Sequence, residues 1–158
     1  MFKDLKVLEL SSVLAGPAVG MFFSELGASV LKVENKLTGG DVTRNWKLPI
    51  EKENELSAYF SSVNYKKTHV FLDFNSEIDR KELNQLIKSC DIIITNFKSG
   101  DEKKFKLDFK SCKKINDHII YAKITGFKSN TKRVAYDIVL QAETGYISMT
   151  GNNKEYAK

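Results

Sequence analysis

The sequence predicts an α/β protein, a doubly wound, Rossmann-like, mostly parallel sheet. Three observations carry that expectation. Short apolar runs alternate with helix-periodic segments along the whole chain. The run Ile92-Ile93-Ile94 is continuously apolar, as suits a parallel strand covered on both faces. The first apolar run passes through Ala15-Gly16-Pro17 into an amphipathic segment and then a second apolar run, the pattern of a βαβ unit.

Taken in order, strands are expected at residues 5–10, 29–33, 69–72, 91–95 and 118–124. A tight turn at Ala15-Gly16-Pro17 leads into the first helix, with Pro17 at its first position. Val19, Phe22, Phe23 and Leu26 then fall at i, i+3, i+4 and i+7 as its core stripe, and Gly27 closes it in a left-handed cap. A polar connection with a Gly39-Gly40-Asp41 turn spans residues 35–55, and loops of that length are often functional. A short helix is expected over 56–63. Ser76 and Asp79 form a capping pair for a longer one, whose Leu83, Leu86, Ile87 and Cys90 repeat the helical spacing. A last helix follows Tyr136 towards Gly145. Ligands of open α/β sheets sit beyond the carboxyl ends of the strands. Here those ends run into segments 11–17, 34–44, 73–75, 96–100 and 125–128.

Composition narrows the function classes. The 158 residues carry a net charge of +5, almost all of it from lysine, with a pI near 9.1. Such a surface suits polyanions: nucleic acid, an anionic membrane or a polyphosphate ligand. Aromatic and basic residues are not interleaved as in single-strand binders. No apolar run is long enough to cross a bilayer and no leader is visible, which reads as a cytoplasmic protein without a membrane partner. Cys90 and Cys112 lack metal-ligand spacing and read as buried thiols. His69 and His118 open strands and read as half-buried structural histidines. The first turn lacks G-x-G-x-x-G, and no phosphate-binding G-x-x-x-x-G-K-[ST] loop occurs, so a nicotinamide or P-loop site is not supported. No cofactor and no metal site is expected.

Eight short segments carry a more specific signal: V-L-A-G-P at 13–17, L-G-A at 26–28, K-V-E at 32–34, G-D-V-T-R at 40–44, S-V-N-Y-K-K at 62–67, N-F-K-S-G at 96–100, I-T-G-F at 124–127 and Y-D-I-V-L-Q-A at 136–142. In this order and spacing they resemble the family III CoA transferases, which include formyl-CoA transferase, carnitine CoA-transferase and α-methylacyl-CoA racemase. The resemblance implies that residues 1–158 are a partial Rossmann-like, CoA-binding large domain, incomplete relative to the family's, with the second, smaller domain absent. It also implies coenzyme A as substrate rather than cofactor. By matching position, adenine and ribophosphate lie near Ser12, Val13, Ala15, Asn35 and Leu72. Lys36, Lys104 and Arg133 serve the phosphates, which need cations and N–H donors. Asn96 and Phe97 line the pantetheine channel. Ser12 and Asn35 stand where the family often has basic residues, and Lys67 where it has arginine. Those departures imply weaker CoA binding.

The same resemblance assigns the chemistry. The family's nucleophilic aspartate, which forms covalent acyl and CoA-thioester intermediates, lies further along than Lys158. No catalytic residue is therefore expected in this chain, which is expected to be inactive alone. Asp137 is an active-site neighbour or a first-turn aspartate favoured by the helix dipole. Tyr136 stands where racemase members carry a histidine, and tyrosine, with an ordinary pKa near 10, shuttles protons poorly at neutral pH. The expectation is thus a transferase acting on an acyl-CoA and a carboxylic acid acceptor, homodimeric and interlocked at full length, with no nucleic-acid partner. A racemase-like member and a non-catalytic CoA-binding module are the alternatives.

Overall fold

The structure, a computed structural model, describes residues 1–127 and 133–150. Five strands, β1 (Lys6–Leu10), β2 (Ser29–Asn35), β3 (Thr68–Leu72), β4 (Ile92–Thr95) and β5 (Ile120–Lys123), form one sheet in the order β3-β2-β1-β4-β5. Every pairing is parallel, so the sheet is parallel throughout. The order reverses direction between β1 and β4, which makes that junction the topological switch point. The sheet belongs to a compact unit, Met1–Ile124; a second unit begins at Thr125.

Alternation along β1 distributes its side chains to two faces. Leu8 and Leu10 join Ile93, Leu83 and Ile87 of α3 (Glu77–Ser89), and Cys112, in the larger core. Val7 joins Val30, Ile92 and Ile94 on the other face, with Phe23 of α1 (Ala15–Glu25) packed against them. All four β4 residues are buried, as the apolar run predicts. Ser76 caps α3 by accepting from the Asp79 N–H. Gly27 takes φ +98° after α1. Cys90 and Cys112 are buried free thiols, and burial pushes them up to about 12 and about 11.

The structure corrects several expectations. Helix α1 begins at Ala15, so Pro17 is its third residue; the first-turn N–H groups have no intrahelical acceptor, and proline is tolerated there too. The stripe that α1 buries is Gly16, Pro17, Gly20 and Ser24, whereas Val19 and Phe22 face outward, Phe22 at 56% exposure. Small residues win this stripe because the side chains of Ser11, Glu9 and Lys67 lie close against Gly16 and Gly20. Between Asn35 and Glu55 lie two 3₁₀ turns, Lys36–Thr38 and Val42–Asn45. Helix α2 (Ala58–Asn64) starts two residues late because Ser57 caps it, accepting from the Phe60 N–H. Two short helices, α4 (Asp101–Lys104) and α5 (Phe109–Ile115), have no counterpart among the expected elements: too few residues show periodicity in either. His118 precedes β5 with a side chain 93% exposed, not half-buried. In the second unit, α6 (Asp137–Glu143) follows Tyr136 as expected, and α7 (Tyr146–Thr150) follows it. Among the described residues no helix is long and apolar enough to cross a membrane.

Candidate functional site

All five strands point one way, so their carboxyl ends share one edge. Nine of the expected site residues follow those ends: Ser12, Val13 and Ala15 after β1, Asn35 and Lys36 around the end of β2, Leu72 closing β3, and Asn96, Phe97 and Lys104 after β4. Arg133 belongs to the second unit, where it pairs with Glu143 and its guanidinium lies 4.3 Å from the Phe127 ring centre. In the same unit Asp137 opens α6 and accepts from the Gln141 amide, one turn along.

Within the chain these residues have the following partners. Leu72 is 3% exposed and part of the main core. Phe97 packs on Phe74 and Phe105 against that core. The Asn96 carboxamide is turned onto the β1–α1 loop. Its Oδ1 accepts from the Ser12 N–H at 3.0 Å and its Nδ2 donates to the Ser12 carbonyl at 2.7 Å. Asn96 thus clips together the two loops that flank the switch point. Lys36 and Lys104 are exposed, Lys104 above the Phe105 ring. Gly16 allows close approach, but to its own chain: a Cβ there would fall on the Ser11 side chain. Helix α1 starts from Leu14 without a side-chain cap.

Beneath this loop lies a feature that the motif reading missed. Glu9 and Lys32, facing partners on β1 and β2, are both fully buried. Lys32 Nζ stands 2.9 Å from Glu9 Oε1, 3.1 Å from Asp41 Oδ2 and 2.6 Å from the Ser11 carbonyl oxygen, to which it donates. Lys67 Nζ reaches the same cluster from the chain beyond α2, 2.7 Å from Glu9 Oε2, and donates to the Pro17 carbonyl and to Asn64 Oδ1. Burial depresses the Lys67 ammonium, and the Glu9 carboxylate opposes that shift. Two acids and two bases balance, so no net charge is buried. A signal was present in the sequence: Glu9 and Lys32 each stand between two apolar strand residues.

Next to this cluster, Glu34 receives a two-point contact from Arg44, at 2.7 Å and 2.6 Å, and His69 Nδ1 lies 2.9 Å from the same carboxylate. The Arg44 guanidinium also covers the Phe60 ring at 4.0 Å. Gly40, at φ +92°, leaves room for this arrangement; a Cβ would collide with Phe71 and Glu34. Desolvation alone would raise the Glu34 pKa, but hydrogen bonds from Arg44, His69 and the Asp41 N–H hold it well below the usual carboxylate range. A depressed carboxylate stabilises the fold above its unfolded pKa and loses that contribution as pH falls. The melting-temperature gap between wild type and Glu34→Gln is therefore expected to be full at neutral pH and to close as pH falls below 4.5. A gap independent of pH would show that the charge of Glu34 is not what stabilises this corner.

Comparison with known proteins adds to the geometry. Residues 2–157 match the family model described as CoA-transferase family III. The chain is 35% identical over 154 residues to succinate–glutarate CoA-transferase of Agrobacterium fabrum, covering 93% of this chain and 38% of that protein. It is 33% identical over 151 residues to formyl-CoA:oxalate CoA-transferase of Streptomyces coelicolor, covering 94% and 36%. A crystal structure of a CAIB/BAIF family protein from Brucella suis superposes with TM-score 0.88 at 39% identity, covering 99% of this chain and 42% of that one. The chain thus spans well under half the length of each of these relatives.

Proposed function

The chain belongs to CoA-transferase family III, and from that premise we propose that it supplies the CoA-binding part of a homodimeric enzyme that moves CoA between two carboxylic acids. The observation that carries this reading is the family match across residues 2–157, supported by relatives named for CoA transfer between carboxylic acids. Covalent chemistry through an aspartate would divide one difficult acyl transfer into two easier steps. That aspartate, by the resemblance, lies beyond this segment. Asp137, exposed at the start of α6, acts as a neighbour that orients substrate rather than as nucleophile. Tyr136 at the α6 N-cap favours transfer over α-carbon racemisation, which needs a proton shuttle near neutral pH.

The part played by this segment is nucleotide recognition at the carboxyl edge of the sheet. Ser12, Val13, Ala15 and Asn35 offer backbone and short polar groups there, and Lys36 and Lys104 offer cations to phosphate. Both lysines are exposed, so their attraction is screened by salt. The 158-residue polypeptide is expected to bind CoA in calorimetric titration, more weakly as salt rises, and dephospho-CoA less well than CoA. It is expected to turn over no acyl-CoA donor with any carboxylate acceptor and to yield no hydroxylamine-trapped acyl enzyme. Equal affinity for the two coenzymes would remove the 3′-phosphate contact. Turnover would move the nucleophile to Asp137. Binding without turnover even in a longer polypeptide would favour a non-catalytic module.

A further inference from the structure

The β1–α1 loop and the first turn of α1 are held by their backbone from four directions. Lys32 binds the Ser11 carbonyl, Asn96 binds both backbone groups of Ser12, Lys67 binds the Pro17 carbonyl, and Asp41 binds the Val13 N–H. Within that stretch Val13 takes φ +70°. A β-branched side chain in the left-handed region is a genuine outlier, stable only where the surroundings impose it. The group placed to impose it is Asp41, 28 residues along the chain. Its Oδ2 and Oδ1 accept from the Val13 N–H at 3.1 and 3.3 Å. The rest of its carboxylate is saturated: Oδ1 accepts from the Thr43 N–H and hydroxyl, and Oδ2 faces Lys32 Nζ. Asp41 is itself set by Glu34, which accepts from its N–H at 2.8 Å. The G-D-V-T-R segment at 40–44 thus connects the Glu34–Arg44 corner to the loop after β1.

We propose that Asp41 is a positioning residue for the coenzyme-facing loop: its carboxylate holds Val13 in the left-handed conformation that presents the backbone N–H groups of Leu14 and Ala15 to the nucleotide. This rests on the CoA-binding reading above. Asp41 acts through Val13 rather than on the ligand. Merely counterbalancing Lys32 or capping the turn at Val42–Asn45 would be a different role, and the two roles respond differently to a glycine at position 13. Glycine adopts positive φ without a partner.

The test is a double-mutant cycle in the 158-residue chain, with Asp41→Ala, Asp41→Asn and Val13→Gly alone and combined, read by calorimetric titration with CoA and by amide exchange at residue 13. Asp41→Ala is expected to weaken CoA about tenfold in the wild-type background and by no more than about threefold in the Val13→Gly background. Asp41→Asn keeps an oxygen for the Val13 N–H and is expected to retain most of the affinity; it also serves if Asp41→Ala fails to fold. Exchange of the Val13 N–H is expected to accelerate about tenfold or more in Asp41→Ala. Equal losses with and without Val13→Gly, or an Asp41→Asn variant as weak as Asp41→Ala, would overturn the proposal in favour of a charge-balancing role. If wild type binds no CoA, the functional reading fails by itself and the coenzyme-positioning role falls with it, while the exchange arm still decides whether Asp41 holds Val13.

Discussion

Glu9→Ala is expected to destabilise the fold by about 3–5 kcal/mol, because it removes one member of a buried ionic cluster and leaves charge behind. Glu9 is the acid shared by Lys32 and Lys67, 2.9 Å and 2.7 Å away, and none of the three side chains is exposed at all. Lys32 keeps Asp41 as a partner, whereas Lys67 would retain only the neutral acceptors Pro17 O and Asn64 Oδ1. Burial already depresses the Lys67 ammonium, so deprotonation is its most accessible response. That response predicts a signature: the stability lost in Glu9→Ala should be partly regained as pH rises towards Lys67's ordinary value of 10.5. A folded-state pKa below the unfolded one means the unfolded chain binds more protons, so stability increases with pH through that window. Urea denaturation of wild type and variant across pH measures both effects. The exposed pair Lys52–Glu55, 2.8 Å apart, is the control, since breaking such a pair costs about 0–1 kcal/mol. A Glu9→Ala cost no larger than that of Glu55→Ala would mean that water reaches the cluster and screens it.

Gly20→Ala is expected to lower stability although alanine is the better helix former. Exchanging glycine for alanine inside a helix gains about 1 kcal/mol where the new methyl meets open space. At Gly20 the added Cβ falls on Glu9 Oε2 and lies 3.2 Å from Lys67 Nζ. The far end of a flexible side chain could step aside. This carboxylate is gripped from both sides by ammonium groups and cannot do so without breaking one ion pair. Overpacking of this kind costs about 1–3 kcal/mol, enough to exceed the helical gain. Thermal melts give the sign directly, and a variant that melts above wild type would show that α1 can lift off the cluster at little cost.

An element is legible in the sequence to the extent that its causes are local. The strand at residues 91–95 is readable because consecutive apolar residues have few other uses. The capped helix after Ser76 is readable because its start signal and periodic stripe lie close together along the chain. Helix α1 is readable as a helix but not in orientation. Its periodic Val19 and Phe22 name the wrong face, since the stripe that α1 buries lies on the side chains of Ser11, Glu9 and Lys67. Helices α4 and α5 are too short for periodicity to register. The motif segments lead to the right family, yet several of their side chains work inward. Asn96 clips Ser12, and Lys32 and Glu34 of K-V-E serve ion pairs.

The α/β class, the alternation of strands and helices, the parallel character of the sheet, the glycine turns at 27, 39 and 40, and membership of CoA-transferase family III are all written in the letters of the chain. They follow from period, turn chemistry and residue identity, which act over a few positions. The strand order, the burial of Glu9, Lys32, Asp41 and Lys67 in one cluster, and the left-handed turn at Val13 emerge only once the chain is folded. Those depend on atoms brought together from residues 9, 13, 32, 41 and 67, and no local pattern states which distant charge will neutralise which. A lysine on a strand reads as solvent-facing until the partner strand places a carboxylate against it; the desolvation cost of each charge is met only by that long-range pairing.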